Sequence, residues 1–84
     1  MTHPTPGDDP ALELDCRGMR CPLPVIELAR RIADVEVGQQ VAVVSTDVAS
    51  RTDVPAWCRM RGHTYVGEDV AEDGVPRFRV SRAR

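Results

Sequence analysis

Cysteine is the residue type whose chemistry stands out in this chain. There are three, Cys16, Cys21 and Cys58, and all eleven basic residues are arginine. Without lysine there is no amine for a Schiff base and no lysine-based phosphate loop, and no glycine-rich phosphate loop or dinucleotide fingerprint occurs. The leading nucleophile is Cys21, in the run Cys21-Pro22-Leu23-Pro24. Proline suits the first turn of a helix, where its missing N–H would be unpaired anyway. Cys21 then stands at or next to an N-cap, where unpaired N–H donors and about half a positive charge favour an anion. A thiolate is stabilised at such a place, so the pKa of Cys21 is expected below the free value of about 8.5. A persulfide anion gains from the same field, with its terminal sulfur one bond further out. Pro22 and Pro24 fix the turn and leave donors at Leu23 and Val25, and Arg17 and Arg20 can add positive potential. Taken alone, C-P-x-P is read more simply as a proline-bearing helix start whose cysteine has no chemistry.

The other candidates have plainer readings. Cys58 follows Trp57 on an apolar stripe and reads as a core cysteine, with a second sulfur site as the alternative. Cys16 alternates inward with Leu12 and Leu14 and reads as structural; its functional alternative is a resolving cysteine that reaches Cys21 across the short turn. His63 reads as a polar residue at a strand edge rather than a general base for Cys21. Asp47 and Asp53 read as a turn and a helix cap, not an acid–base pair. Arg77, Arg79, Arg82 and Arg84 read as a solvated strand face and tail, or else as a docking surface for an acidic partner or tRNA. Zinc is disfavoured: no C-x-x-C pair exists, and only His3 and His63 could join the cysteines.

The elements that must position Cys21 follow from periodicity. Ala11 to Asp15 alternates and predicts a first strand, and Gly18 lies in the turn after it. Val25, Leu28, Ala29 and Ile32 fall at i, i+3, i+4 and i+7, which predicts a helix from Pro22 to about Asp34. Gln40 to Thr46 is a β-branched run and predicts a buried second strand. A second helix is expected with Thr52 or Asp53 as cap, Pro55 in its first turn, Val54, Trp57 and Cys58 inward, and Gly62 as its stop. Strands over about His63 to Glu68 and Arg77 to Arg82 complete a β-α-β-α-β-β order. Two helices cannot cover both faces of four strands, and right-handed crossovers put them on one face of a mixed sheet, leaving the other open. The fold class is therefore α+β, a two-layer sandwich.

The chain has 84 residues and a net charge of −2, enough for one domain with a thin core and without general affinity for nucleic acid. Residues 1–10 carry three prolines and two aspartates, read as a flexible tail before a single domain over 11–84. They form no signal peptide, and no apolar run approaches the roughly 20 residues that span a bilayer. The reducing cytoplasm is the expected compartment, and an odd cysteine count argues against a disulfide framework. No cofactor or metal is expected, and the chain is expected to be a monomer.

The stretch Leu14-Asp15-Cys16-Arg17-Gly18-Met19-Arg20-Cys21-Pro22-Leu23-Pro24 resembles the L-D-x-x-G-x-x-C-P-x-P signature of the TusA/SirA-like sulfur carriers. Thr46-Asp47 resembles that family's acidic turn after strand two. Asp53-Val54-Pro55-Ala56-Trp57-Cys58 resembles its D-I-P-x-x-C helix start, and Gly62-His63 its G-H before strand three. The resemblance runs in order over roughly residues 12 to 82. It implies a fold like the C-terminal domain of translation initiation factor 3. It also implies that Cys21 accepts sulfane sulfur as a persulfide from a cysteine desulfurase or rhodanese-like donor and passes it to a downstream acceptor protein. Destinations in the family include 2-thiouridine in tRNA, molybdenum-cofactor enzymes and sulfur oxidation. Such a protein is a sulfurtransferase-type carrier rather than a stand-alone turnover enzyme. The alternative is a redox-sensing or regulatory interaction protein.

Overall fold

The computed structural model describes residues 10–84. Apart from Pro10, the expected tail and His3 lie outside the described residues. The elements run β1 (Leu12–Cys16), α1 (Leu23–Arg31) with a 3-10 turn at Ile32–Asp34, β2 (Gln40–Ser45), α2 (Ser50–Arg61), β3 (Thr64–Val70) and β4 (Pro76–Ser81). The sheet order is β1-β2-β4-β3. β1 lies parallel to β2, while β4 is antiparallel to both β2 and β3, so the sheet is mixed. β3 is thus parallel to β2 with β4 inserted between them, a split β-α-β unit.

Register explains the two faces. Leu14, Val43 and Phe78 lie side by side, as do Val41, Val80 and Tyr65. With Leu28, Val54, Trp57 and Cys58 from the helices they form the core, so both helices cover one face. The other face is not bare. Arg77 and Arg79 pair in register with Val44 and Ala42, which are fully buried beneath them. Long arginine stems can lie along apolar surface while their heads stay wet. Those heads are held by carboxylates: Arg77 Nε to Asp69 at 2.8 Å, Arg77 Nη1 to Glu13 at 3.2 Å, Arg79 Nε to Asp69 at 3.1 Å.

α2 begins earlier than its sequence suggests. Asp47 Oδ1 accepts the Ala49 N–H at 3.0 Å, and the amides of Ser50, Arg51 and Thr52 donate to the carbonyls three residues before them. These tight turns start the helix at Ser50, so Pro55 lies inside it and Asp53 is a residue of its first turn, not its cap. Gly62, at φ 77°, ends it, with the Gly62 and His63 amides both donating to the Cys58 carbonyl. A left-handed residue there favours glycine.

Candidate functional site

β1 and β2 end together, Cys16 opposite Ser45, so the loops that follow them leave the same edge of the sheet. Crevices outside the carboxyl ends of parallel strands are where open α/β sheets usually bind. The two loops are tied by side chains of the second to amides of the first. Gly18 N–H donates to Thr46 Oγ1 at 3.0 Å, and Cys21 N–H donates to Asp47 Oδ2 at 2.7 Å. With its other oxygen on Ala49, Asp47 clamps the Cys21 backbone to the start of α2. These two amides, that of Cys21 foremost, hold the Asp47 carboxyl below the usual range.

The Cys21 thiol donates to Asp53 Oδ2, 2.6 Å away. Its pKa is raised, not lowered as the sequence suggests: the Asp53 hydrogen bond is the main cause, then desolvation and the negative charges of Asp53 and Asp47. A hydrogen bond donated by S–H stabilises the neutral form, and nearby carboxylates penalise the anion. The helix end is also weaker than expected. Leu23 N–H, one of the two donors expected beside the sulfur, donates to the Arg20 carbonyl at 2.8 Å. Pro22 is the N-cap of α1 without a side-chain capping bond, and Pro24 is buried in the first turn.

Nor do the arginines act on the sulfur as expected. Arg17 Nη1 pairs with Asp15 at 3.0 Å and its Nε with Asp73 at 2.9 Å, which ties the β1–α1 turn to the β3–β4 loop. Arg20 lines a groove of about 500 Å³ with Met19, Asp47 and Val48, and its charge helps hold the Asp47 carboxyl down. Cys21 itself is exposed, at the rim of an apolar groove of about 320 Å³ lined by Pro22, Val25, Asp53, Ala56, Trp57 and Met60.

Cys16 and Cys58 are 0% and 1% exposed. Burial raises both thiols, Cys58 to about 11. His63 stacks on Trp57, rings 5.2 Å apart, and its Nδ1 accepts the Ala83 N–H at 3.1 Å; it does not border the Cys21 groove. Among the described residues no group of three His, Cys, Asp or Glu is placed to hold a metal ion. No helix among them is long and apolar enough to cross a membrane. Sequence reasoning names Cys21 and its prolines, but it reads Asp47 and Asp53 as a turn and a cap and gives no sign that they meet the Cys21 backbone and thiol.

Fold and site define a small α+β domain that presents one accessible cysteine where two parallel strands end. The family model described as Sulfurtransferase TusA matches residues 12–82, and the chain belongs to that family. It is similar to a putative sulfur carrier protein of Archaeoglobus fulgidus, 40% identical over 60 residues, which cover 71% of this chain and 82% of that one. It is also similar to the sulfur carrier protein TusA of Pseudomonas syringae pv. syringae, 40% identical over 63 residues, covering 75% and 74%. A putative sulfur carrier protein of Bacillus subtilis, YrkF, is 34% identical over 65 residues; these are 77% of this chain, which spans only 35% of that longer protein. The crystal structure of a SirA-like protein from Desulfitobacterium hafniense shares the fold, with a TM-score of 0.72 over 87% of this chain and 99% of that one, at 23% identity.

Proposed function

We propose that this chain is a sulfur carrier that holds sulfane sulfur as a persulfide on Cys21. The observation that carries the reading is the inequality of the three thiols: Cys21 is exposed at a groove, while Cys16 and Cys58 are sealed in the core. Relatives named as sulfur carriers support it. The donor is a protein persulfide of the cysteine desulfurase or rhodanese-like class. The acceptor is a downstream sulfur-accepting protein, for example one leading to tRNA 2-thiolation or cofactor sulfuration. The chain works as a monomer in the reducing cytoplasm, where a free thiol persists.

In the exchange, the Cys21 sulfur attacks the outer sulfur of the donor's persulfide. A new S–S bond forms on Cys21, the donor's S–S bond breaks, and its electron pair leaves on the donor cysteine. That sulfur takes up a proton as Cys21 gives one up, so nothing is oxidised or reduced overall. Asp53, already hydrogen-bonded to the thiol, is the group placed to pass the proton on. Pro22 and Pro24 hold the helix start rigid beneath the sulfur, and Arg20 supports the Asp47 clamp. Leu23, Val48 and Met60 expose apolar surface, which fits a face that donor and acceptor cover in turn.

The redox-sensor alternative needs Cys16 to reach Cys21, and the burial of Cys16 beside Leu14 argues against it. The test is transfer of labelled sulfur from a desulfurase charged with radioactive cysteine. Wild type and Cys16→Ser carry label, whereas Cys21→Ser stays folded and carries none. Label retained by Cys21→Ser overturns the assignment.

A further inference from the structure

The arginines divide into two sets. Arg17, Arg30, Arg31, Arg51, Arg77 and Arg79 each pair with a carboxylate. Arg20, Arg59, Arg61, Arg82 and Arg84 pair with no side-chain carboxylate among the described residues, and Arg61, Arg82 and Arg84 all press their charge on His63. Arg82 donates to the Val35 carbonyl at 2.6 Å and to the main-chain carboxylate of Arg84, the last residue, at 2.9 Å. The Arg84 side chain lies over the end of α2, 3.2 Å from where a Cβ on Gly62 would stand. Burial and these three guanidiniums lower the pKa of His63. Three guanidiniums thus gather around His63 beside a single main-chain carboxylate, that of Arg84, on a chain that is acidic overall; like charges so gathered repel one another.

The cluster borders a groove of about 460 Å³ whose lining includes Trp57, Met60, Arg61, His63 and Arg84. Trp57 and Met60 also line the Cys21 groove, so the two are neighbours across one tryptophan and one methionine. The two grooves differ in charge: Asp53 borders that of Cys21, Arg61 and Arg84 the other.

We infer that the Arg61–His63–Arg84 groove docks an acidic segment of the protein partner that meets Cys21. Charge complementarity supplies the occupant, and the opposite sign at the sulfur end fixes its orientation. A nucleic acid fits less well. Trp57 is buried with His63 stacked on its ring, which makes it a poor platform for a base, and a polyanion running on toward Cys21 meets Asp47 and Asp53.

The identity of the partner rests on the sulfur-carrier reading, but the binding itself needs no sulfur, so a chain without Cys21 separates the two. The full chain carrying Cys21→Ser is titrated with a hexaglutamate peptide at low salt, with binding followed by Trp57 fluorescence and by the His63 ring resonances. The peptide binds, its affinity falls as salt is added, and the titration midpoint of His63 rises because an anion now offsets the arginines. Replacing both Arg61 and Arg84 by Gln weakens binding about tenfold, the product of two exposed charge contacts of ordinary strength. Arg30→Gln, on an exposed arginine of α1, leaves it unchanged. An unmoved His63 midpoint, a double variant that binds like its parent, or tighter binding of a ten-nucleotide single strand than of the peptide overturns the inference.

Discussion

A thiol that donates to a carboxylate 2.6 Å away gains that partner only while protonated, so the empty Cys21 rests as S–H rather than thiolate. Removing the charge of Asp53 reverses this. Asp53→Asn is expected to lower the Cys21 pKa and to speed its alkylation by iodoacetamide at neutral pH, measured with Cys16 and Cys58 left buried. An unchanged or slower rate contradicts the account of the sulfur's charge. Asp47→Asn should act more weakly on the pKa, because Asp47 reaches the sulfur only through its field while bonding the backbone N–H. The sequence shows the cysteine and its prolines because they are covalent neighbours. It hides Asp53, which lies 32 residues away and comes within reach only once β1 and β2 are paired and the loops after them meet. The sequence therefore shows only the positive features near the thiol, the helix start with Arg17 and Arg20, while the carboxylate that bonds it looks like a helix cap.

At the scale of elements, α2 serves core and site together. One side buries Val54, Trp57 and Cys58 and its first turn carries Asp53 to the sulfur. Cys58→Ser puts a hydroxyl in an apolar setting, with an expected loss of about 1–3 kcal/mol. For a domain of this size that is a fall in melting temperature on the order of 4–8 °C per kcal/mol, while sulfur loading at Cys21 persists. Cys21→Ser, at an exposed position, should shift stability by no more than about 0.5 kcal/mol. A Cys58→Ser protein that melts like wild type but accepts no sulfur would make Cys58 a working site. The element order, the inward stripes and the Gly62 stop were legible because period and punctuation are local signals. The start of α2 was not. Asp47 nucleates the helix from outside it, so Pro55, which reads as a first-turn proline, sits a turn further in.

Over the whole molecule, the charges set the pH range of stability. Asp15, Asp47, Glu68, Asp69 and Asp73 all titrate below their usual values, chiefly through hydrogen bonds from backbone amides and arginines. A lowered carboxyl contributes stability that is full above the unfolded value near 4 and is lost as pH falls through the folded one. His63, lowered by burial and three arginines, contributes fully above about 6.5 and less as pH falls below it. Cys58, raised to about 11 by burial, contributes fully below the ordinary thiol value of 9.0 and loses this as pH rises through 11. Urea midpoints should therefore be highest between about pH 7 and 9. They should fall gently toward pH 5, steeply below 4, and again under alkaline conditions; a midpoint that keeps rising below pH 5 contradicts these assignments. The open face expected of a two-layer sandwich is present, but its arginines are neutralised by Asp69 and Glu13, pairings that only the β4 register reveals.

The central claim is that the exposed thiol alone carries sulfur. The measurement that tests it most directly is peptide mapping of the wild-type chain after incubation with a cysteine desulfurase and cysteine. Exposed sulfur is alkylated, and the three cysteine peptides are weighed separately. The expected result is one additional sulfur atom on the peptide containing Cys21 and none on those containing Cys16 or Cys58. Sulfur found on Cys58 or Cys16, or on none of the three while the desulfurase itself is loaded and a rhodanese charged with thiosulfate also fails, contradicts the account.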